Sequence, residues 1–185
     1  MDKNHEVITF GCRLNSYESE IIRNNLAKSH LTNAVVINTC AVTKEAEKQA
    51  RQVIRKIKRQ DPSKKIIVTG CAAQNTPEMF ASMSEVSKVL GNEEKLSSSN
   101  YFIDKKRIAV NDIMSVKETA NHLITSFEGK ARAFIQVQNG CDHRCTFCMI
   151  PYGRGNSRSV PIGVIAQQIR LLLAENYQEI VFTGV

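Results

Sequence analysis

The stretch "AVVINTCAVTKEAEKQARQVIRKIKRQDPSKKIIVT" (34–69) decides the fold. It opens on a short β-branched run, AVVIN (34–38), and closes on another, KIIVT (65–69), both of the kind that forms buried strands. Between them Ala46, Ala50, Val53, Ile54 and Ile57 recur at helical spacing, which predicts a helix over 43–60 with one apolar face. Thr43 followed by Glu45 and Glu47 suits its start, and Pro62 suits its stop. Strand, helix, strand in this order is the unit of a parallel sheet with right-handed crossovers.

The same alternation extends in both directions. Upstream lie EVITF (6–10) and the helical SYESEIIRNNLAKS (16–29), with Ile21, Ile22 and Leu26 on one side. Downstream come TPEMFASMSEV (76–86) as a third helix, KVLG (88–91) as a fourth strand and a helix start at NEEKL (92–96). Periodicity then fades from 104 to 130, which reads as a connector with some irregular strand. A second unit begins with the strand ARAFIQVQNG (131–140), continues through the amphipathic GVIAQQIRLLLAEN (163–176) and reaches the buried-strand pattern EIVFTGV (179–185). The expected organisation is an α/β chain: an N-terminal parallel-sheet domain (1–103), a connector (104–130) and the incomplete start of a second α/β unit (131–185). The last apolar run has neither cap nor turn after it, so the sequence reads as a fragment of a longer chain.

Composition narrows the function. With 42% hydrophobic and 23% charged residues, the sequence is of ordinary globular type. No apolar run approaches the roughly 20 residues that span a bilayer. The opening MDKNHEVITF lacks an apolar signal core, so the chain is expected in the cytoplasm. In that reducing compartment its six cysteines point to metal binding or catalysis before disulfides. The net charge of +7 favours a polyanionic partner, and 44–65 concentrates nine basic against three acidic residues. Trp is absent and aromatics are 6%, which argues against a stacking platform for single strands.

The cysteines fall into two sets of three. Cys12, Cys40 and Cys71 each follow a predicted strand, in ITFGC, VINTC and IVTGC. The carboxyl ends of parallel strands form one edge where ligands collect, so these thiols are expected to converge. Gly11, Thr39 and Gly70 before them would leave room for a bulky cofactor. The plainer alternative is three small core residues. The second set, Cys141, Cys145 and Cys148, lies within NGCDHRCTFCMIPYGRG (139–155). Three thiolates at C-x₃-C-x₂-C spacing suit a [4Fe–4S] cluster with one iron left open for a non-protein ligand. A Cys₃His zinc site completed by His143 is the alternative.

C-x₃-C-x₂-C resembles the signature of the radical S-adenosylmethionine superfamily. With TFGCRLNSYESE, VVINTCAVTKEAEKQARQVIRK and IIVTGCAAQ before it, the chain is similar throughout to the methylthiotransferase family. The resemblance implies a radical-enzyme partial (βα) barrel beginning in the second unit, with Cys141, Cys145 and Cys148 as its catalytic cluster ligands. It implies S-adenosylmethionine at the open iron, with Phe147 beside its adenine, and a second [4Fe–4S] cluster on Cys12, Cys40 and Cys71. The implied reaction is attachment of a methylthio group, by way of a 5′-deoxyadenosyl radical, with tRNA as partner and a flavodoxin- or ferredoxin-type electron donor. GCRLNSYESE most resembles the branch acting at C2 of N6-threonylcarbamoyladenosine beside the anticodon. The branches acting on isopentenyladenosine or on a ribosomal-protein aspartate are alternatives.

Arg154 and Arg158, just after the cluster loop, are the expected RNA contacts. Lys44, Lys48, Arg51, Arg55, Lys58 and Arg59 lie outside the apolar stripe of the 43–60 helix and are either phosphate contacts or a solvated face. Asn38 and Gln74 are expected to be structural hydrogen-bonders. The family's later barrel units and RNA-binding domain have no counterpart in these 185 residues, so this chain is expected to be inactive alone. Two other classes stay open: a noncatalytic iron–sulfur electron-transfer module and a zinc-stabilised RNA-binding protein.

Overall fold

The computed structural model describes residues 5–102, 106–118, 123–127 and 131–185. Parts of the expected connector, at 104–105, 119–122 and 128–130, therefore lie outside the described residues.

Five parallel strands form the first sheet in the order β1 (His5–Thr9), β2 (Ala34–Thr39), β3 (Lys65–Gly70), β4 (Lys88–Leu90) and β5 (Ile108–Ala109). Helix α1 (Arg13–Lys28) joins β1 to β2, and α2 (Lys44–Gln60) joins β2 to β3. The short α3 (Cys71–Asn75) and α4 (Pro77–Ala81) lead to β4. Alternation along β2 and β3 sends Val35, Ile37, Ile66 and Val68 to one face, against Ala50 and Ile54 of α2 and Phe80 of α4. Ala34, Val36 and Ile67 face the other way, against Ile22 and Leu26 of α1. Each fully buried branched side chain here contributes about 1.5–3 kcal/mol.

Three expectations change. The helix expected over 76–86 is shortened to α4 (Pro77–Ala81), and Thr76, at φ −138° before Pro77, separates it from an unexpected short helix, α3. The irregular strand expected after 104 is β5, and it joins the first sheet beside β4 although the connector is expected outside that domain. The steps from β1 to β2 and from β2 to β3 run in the same direction, yet α1 and α2 cover opposite faces. The two crossovers therefore have opposite hand, and the right-handed expectation holds for one of them only.

The second unit starts with β6 (Arg132–Gln136) and β7 (Gln138–Asn139), followed by α5 (Ile150–Arg154), β8 (Arg158–Ser159), α6 (Ile162–Ala174) and β9 (Glu179–Thr183). β6 and β9 pair in parallel around α6, a single strand–helix–strand turn. β7 and β8 pair antiparallel through Gln138–Ser159 and Asn139–Arg158 and close the base of the cysteine loop.

Helix α1 serves both units. Its Ile22 and Leu26 face the first sheet, while Leu14, Tyr17 and Ile21 pack with Ile124, Phe127, Ala133, Ile135 and Leu172. A helix covered on both sides must bury polar residues too, and Asn15, Glu18, Ser19 and Asn25 are all buried. Residues 123–127 are tied into this shared core. Gln168 accepts from the Ile124 amide at 2.8 Å, and Tyr177 Oη accepts from the Phe127 amide at 2.7 Å.

Candidate metal centre

The register Thr9–Asn38–Thr69 brings β1, β2 and β3 to one edge, and a cysteine leaves each strand there. Cys12 caps the start of α1, Cys40 follows β2 directly, and Cys71 is the first residue of α3. Gly11 and Gly70 sit at φ +99° and +96°, a region that favours glycine. A Cβ on Gly70 would lie 2.2 Å from the Thr39 carbonyl oxygen, so this glycine makes room for backbone and not, as expected, for a cofactor. A Cβ on Gly11 would lie 2.8 Å from Cys40 Sγ, so there the space belongs to the thiol.

Side chains lock these strand ends. Asn15 Nδ2 donates to the carbonyls of Phe10 (2.7 Å) and Thr39 (3.1 Å). Thr39 Oγ1 donates to the Thr69 carbonyl at 2.6 Å. Burial pushes the Cys40 thiol up, the Val42 amide partly offsets this, and Cys71 and Cys12 push it further. Asn38 donates to the Asn15 carbonyl and to Ser19, and Gln74 bridges Asn111 and Asn92, so both are the hydrogen-bonders expected.

The second set is built locally. Above the β7–β8 base, the Cys141 amide donates to the Gly155 carbonyl (3.0 Å) and the Ser157 amide to Asp142 (2.9 Å). Arg144 binds the Cys141 carbonyl (2.8 Å) and Asn156 (2.6 Å), and the Cys148 amide turns back to Cys145 (3.0 Å). Cys141 and Cys148 are half-buried, whereas Cys145, His143 and Phe147 are exposed.

The two sets meet where α5 packs on α3. Gly153 comes so close that a Cβ there would lie 3.1 Å from that of Cys71. Between them is a cavity of about 420 Å³ whose wall includes Cys12, Cys40 and Cys71 on one side and Phe147, Cys148 and Met149 on the other. Among the described residues no three Cys, His, Asp or Glu side chains form a group able to hold a single metal ion. What the fold supplies is three strand-end thiols and that of Cys148 around one roomy cavity, next to the buried cation of Arg154. That donor set fits an anionic metal–sulfur group.

That cation and its neighbour correct the sequence reading. Arg154 and Arg158, expected at the RNA, are only 2% and 8% exposed. Arg154 makes a two-pronged ion pair with Glu18 (2.8 and 3.1 Å) and also binds Asn139 and Asn15. Arg158 donates to the carbonyls of Arg154, Asn156 and Val116. Both side chains turn into the fold: α5 packs on α3, Arg154 reaches from α5 to Glu18 and Asn15 of α1, and Arg158 on β8 is held by backbone carbonyls. Glu18 also takes Lys95 at 2.7 Å, and Lys95 donates to Asn92 at 2.6 Å. Burial alone would raise the Glu18 carboxyl, but Arg154 and Lys95 outweigh it and hold it down to about 2. Burial works against the Arg154 cation, yet Glu18 and then Cys71 push its pKa above the usual arginine range. Sequence reasoning missed Glu18, Lys95 and Asn92. Its one available signal was a glutamate flanked by Tyr17 and Ile21 on a helix face that must be buried.

On α2, Thr43 Oγ1 caps the helix by accepting from the Ala46 amide. Lys44, Lys48, Arg55 and Arg59 are exposed, while Arg51 is paired with Glu47 and Lys58 donates to the Lys64 carbonyl.

Comparison with known proteins separates the same two units. Residues 4–91 match the family model described as uncharacterized protein family UPF0004, and 135–185 match the radical SAM superfamily model. Each model covers less than half of the chain, and the chain is similar to relatives named as tRNA methylthiotransferases. It is 66% identical, over 97% of its length, to a threonylcarbamoyladenosine tRNA methylthiotransferase MtaB of Rickettsia prowazekii, of which it covers 43%. It is 36% identical to the MtaB of Aquifex aeolicus, over 95% of this chain and 46% of that one. A tRNA-2-methylthio-N(6)-dimethylallyladenosine synthase of Christiangramia forsetii is 30% identical, over 95% and 40% respectively. The chain thus spans less than half the length of these curated relatives. Among the described residues no helix is long and apolar enough to cross a membrane.

Proposed function

We propose that this chain is the cofactor-bearing part of a tRNA methylthiotransferase that acts at C2 of N6-threonylcarbamoyladenosine, in the cytoplasm. The supporting observation is the shared cavity, whose wall takes thiols from both cysteine sets. Cys141, Cys145 and Cys148 would hold the [4Fe–4S] cluster that binds S-adenosylmethionine. Cys12, Cys40 and Cys71 would hold a second [4Fe–4S] cluster from which sulfur is delivered. When bound, these groups supply the radical and sulfur chemistry that an unactivated aromatic C–H bond requires, because no acid–base group can open it.

The protein's own part is placement. Asn15 and Thr39 hold the strand-end thiols at one edge, and Gly153 lets the second loop close onto Cys71. Ala41, Val42, Met149 and Ile150 give the cavity an apolar wall. Phe147, 89% exposed, stands free at the edge of that cavity, where an adenine ring could stack on it. The exposed cations of α2 offer phosphate contacts to tRNA, and the electron would come from a flavodoxin- or ferredoxin-type protein.

The test is nucleoside mass analysis of tRNA from cells that lack their own enzyme and express the full-length protein. Methylthio-threonylcarbamoyladenosine should appear and should vanish with Cys71→Ser or Cys145→Ser. A methylthio group on isopentenyladenosine or on a ribosomal protein instead would overturn the substrate assignment.

A further inference from the structure

Arg154, Glu18, Lys95 and Asn92 form one connected group in the wall shared by the two units, and neither the expected RNA contact nor the cysteine sets account for it. Glu18 and Arg154 are each 2% exposed and Lys95 is fully buried. Within the group Glu18 faces two cations, Arg154 and Lys95, with Glu93, Glu94 and Arg158 beside them. Of these groups Arg154 is the cation that reaches the strand-end cysteines. Arg154 lines the cavity beside Cys12, Cys40 and Cys71, and Asn92 Nδ2 lies 3.6 Å from Cys71 Sγ. Asn92 is itself held by Lys95 on one side and by the Gly153 carbonyl on the other.

We propose that Arg154, Lys95 and Asn92, oriented by Glu18, are positioning residues that compensate the negative charge of the group bound on Cys12, Cys40 and Cys71 and so set its reduction potential. The inference rests on the proposed iron–sulfur reading of that site. Net charge and hydrogen bonds to sulfur are the two levers by which a protein tunes such a group, and this network supplies both. Arg154 comes from α5 and Glu18 from α1, so the share of the compensating charge that Arg154 supplies is in place only when the two units are docked. The potential of the strand-end group therefore depends on the cysteine loop being closed over it.

The test uses the full 185-residue chain with Cys141, Cys145 and Cys148 changed to Ala, so that one cluster remains after anaerobic reconstitution. Its midpoint potential is measured by a redox titration followed by electron paramagnetic resonance, with iron counted in each sample. Arg154→Gln removes the cation and should move the potential negative, whereas Arg154→Lys, which keeps the charge, should leave it near that of the parent. Glu18→Gln keeps the shape but removes the carboxylate charge, and should move the potential positive. If Arg154→Gln fails to retain iron, the positive shift of Glu18→Gln decides alone. Iron-loaded variants whose potentials match the parent would overturn the inference and leave the site reading intact. A parent chain that takes up no iron would overturn the site reading, and this inference with it.

Discussion

The strand-end cysteines and Cys148 of the loop set reach one cavity by opposite routes. Cys12, Cys40 and Cys71 are 28 and 31 residues apart and are brought together by three parallel strands, two positive-φ glycines and the clamp of Asn15. Cys141, Cys145 and Cys148 lie within eight residues on a loop closed by a two-residue ladder and by Arg144. The first set is only as good as the packing of the whole sheet and its seam with the second unit. The second needs little more than its own turn. A fold change that loosens α1 should therefore damage the strand-end site first, and a change at Arg144 in the cysteine loop should leave that site untouched.

The largest expected effect comes from removing the carboxylate at the seam. Glu18→Ala strands two buried cations and should cost about 3–5 kcal/mol in urea unfolding, with iron lost from the strand-end set before the loop set. A penalty under about 1 kcal/mol would mean that the seam is not needed to hold that site. Asn15→Ala leaves the Phe10 and Thr39 carbonyls without their donor and should cost about 1–3 kcal/mol, again at the expense of the strand-end set alone.

Acid should act on the same asymmetry. The Glu18 carboxyl is lowered from 4.5 to about 2 in the folded chain, so the unfolded chain takes up its proton first as pH falls. The stability from this group is complete above about pH 5 and is lost progressively toward pH 2. Thermal melts of the parent and of Glu18→Gln should converge over that range, and a constant gap between them would contradict the assignment. The smallest effect belongs to the loop: Arg144 is exposed, so Arg144→Ala should change global stability by less than about 1 kcal/mol and reduce only the iron held by the loop set.

Much of this was legible from residue order. The β-branched runs and the Thr43-to-Gln60 pattern placed β1, β2, β3 and α2 to within a residue or so, because buried strands and amphipathic helices write their period into the chain. The loop cysteines were readable directly, and the strand-end ones through topology. The hidden parts were those that depend on partners far away. Arg154 looked like a free cation beside a substrate, and 136 residues separate it from the glutamate that claims it. The burial of the polar residues of α1 went unread, because the second layer over the helix comes from a distant stretch. That β5 completes the first sheet was not legible, because two residues carry no period.

The most direct test of the central claim is the iron and sulfide content per chain after anaerobic reconstitution, for the parent and for the Cys141→Ala/Cys145→Ala/Cys148→Ala variant. Two cubane clusters around one cavity predict about eight irons in the parent and about four in the variant, with the remainder lost when Cys12, Cys40 and Cys71 are also removed. One zinc and no iron in the parent would contradict the account and leave the strand-end cysteines as core residues of a basic binding protein.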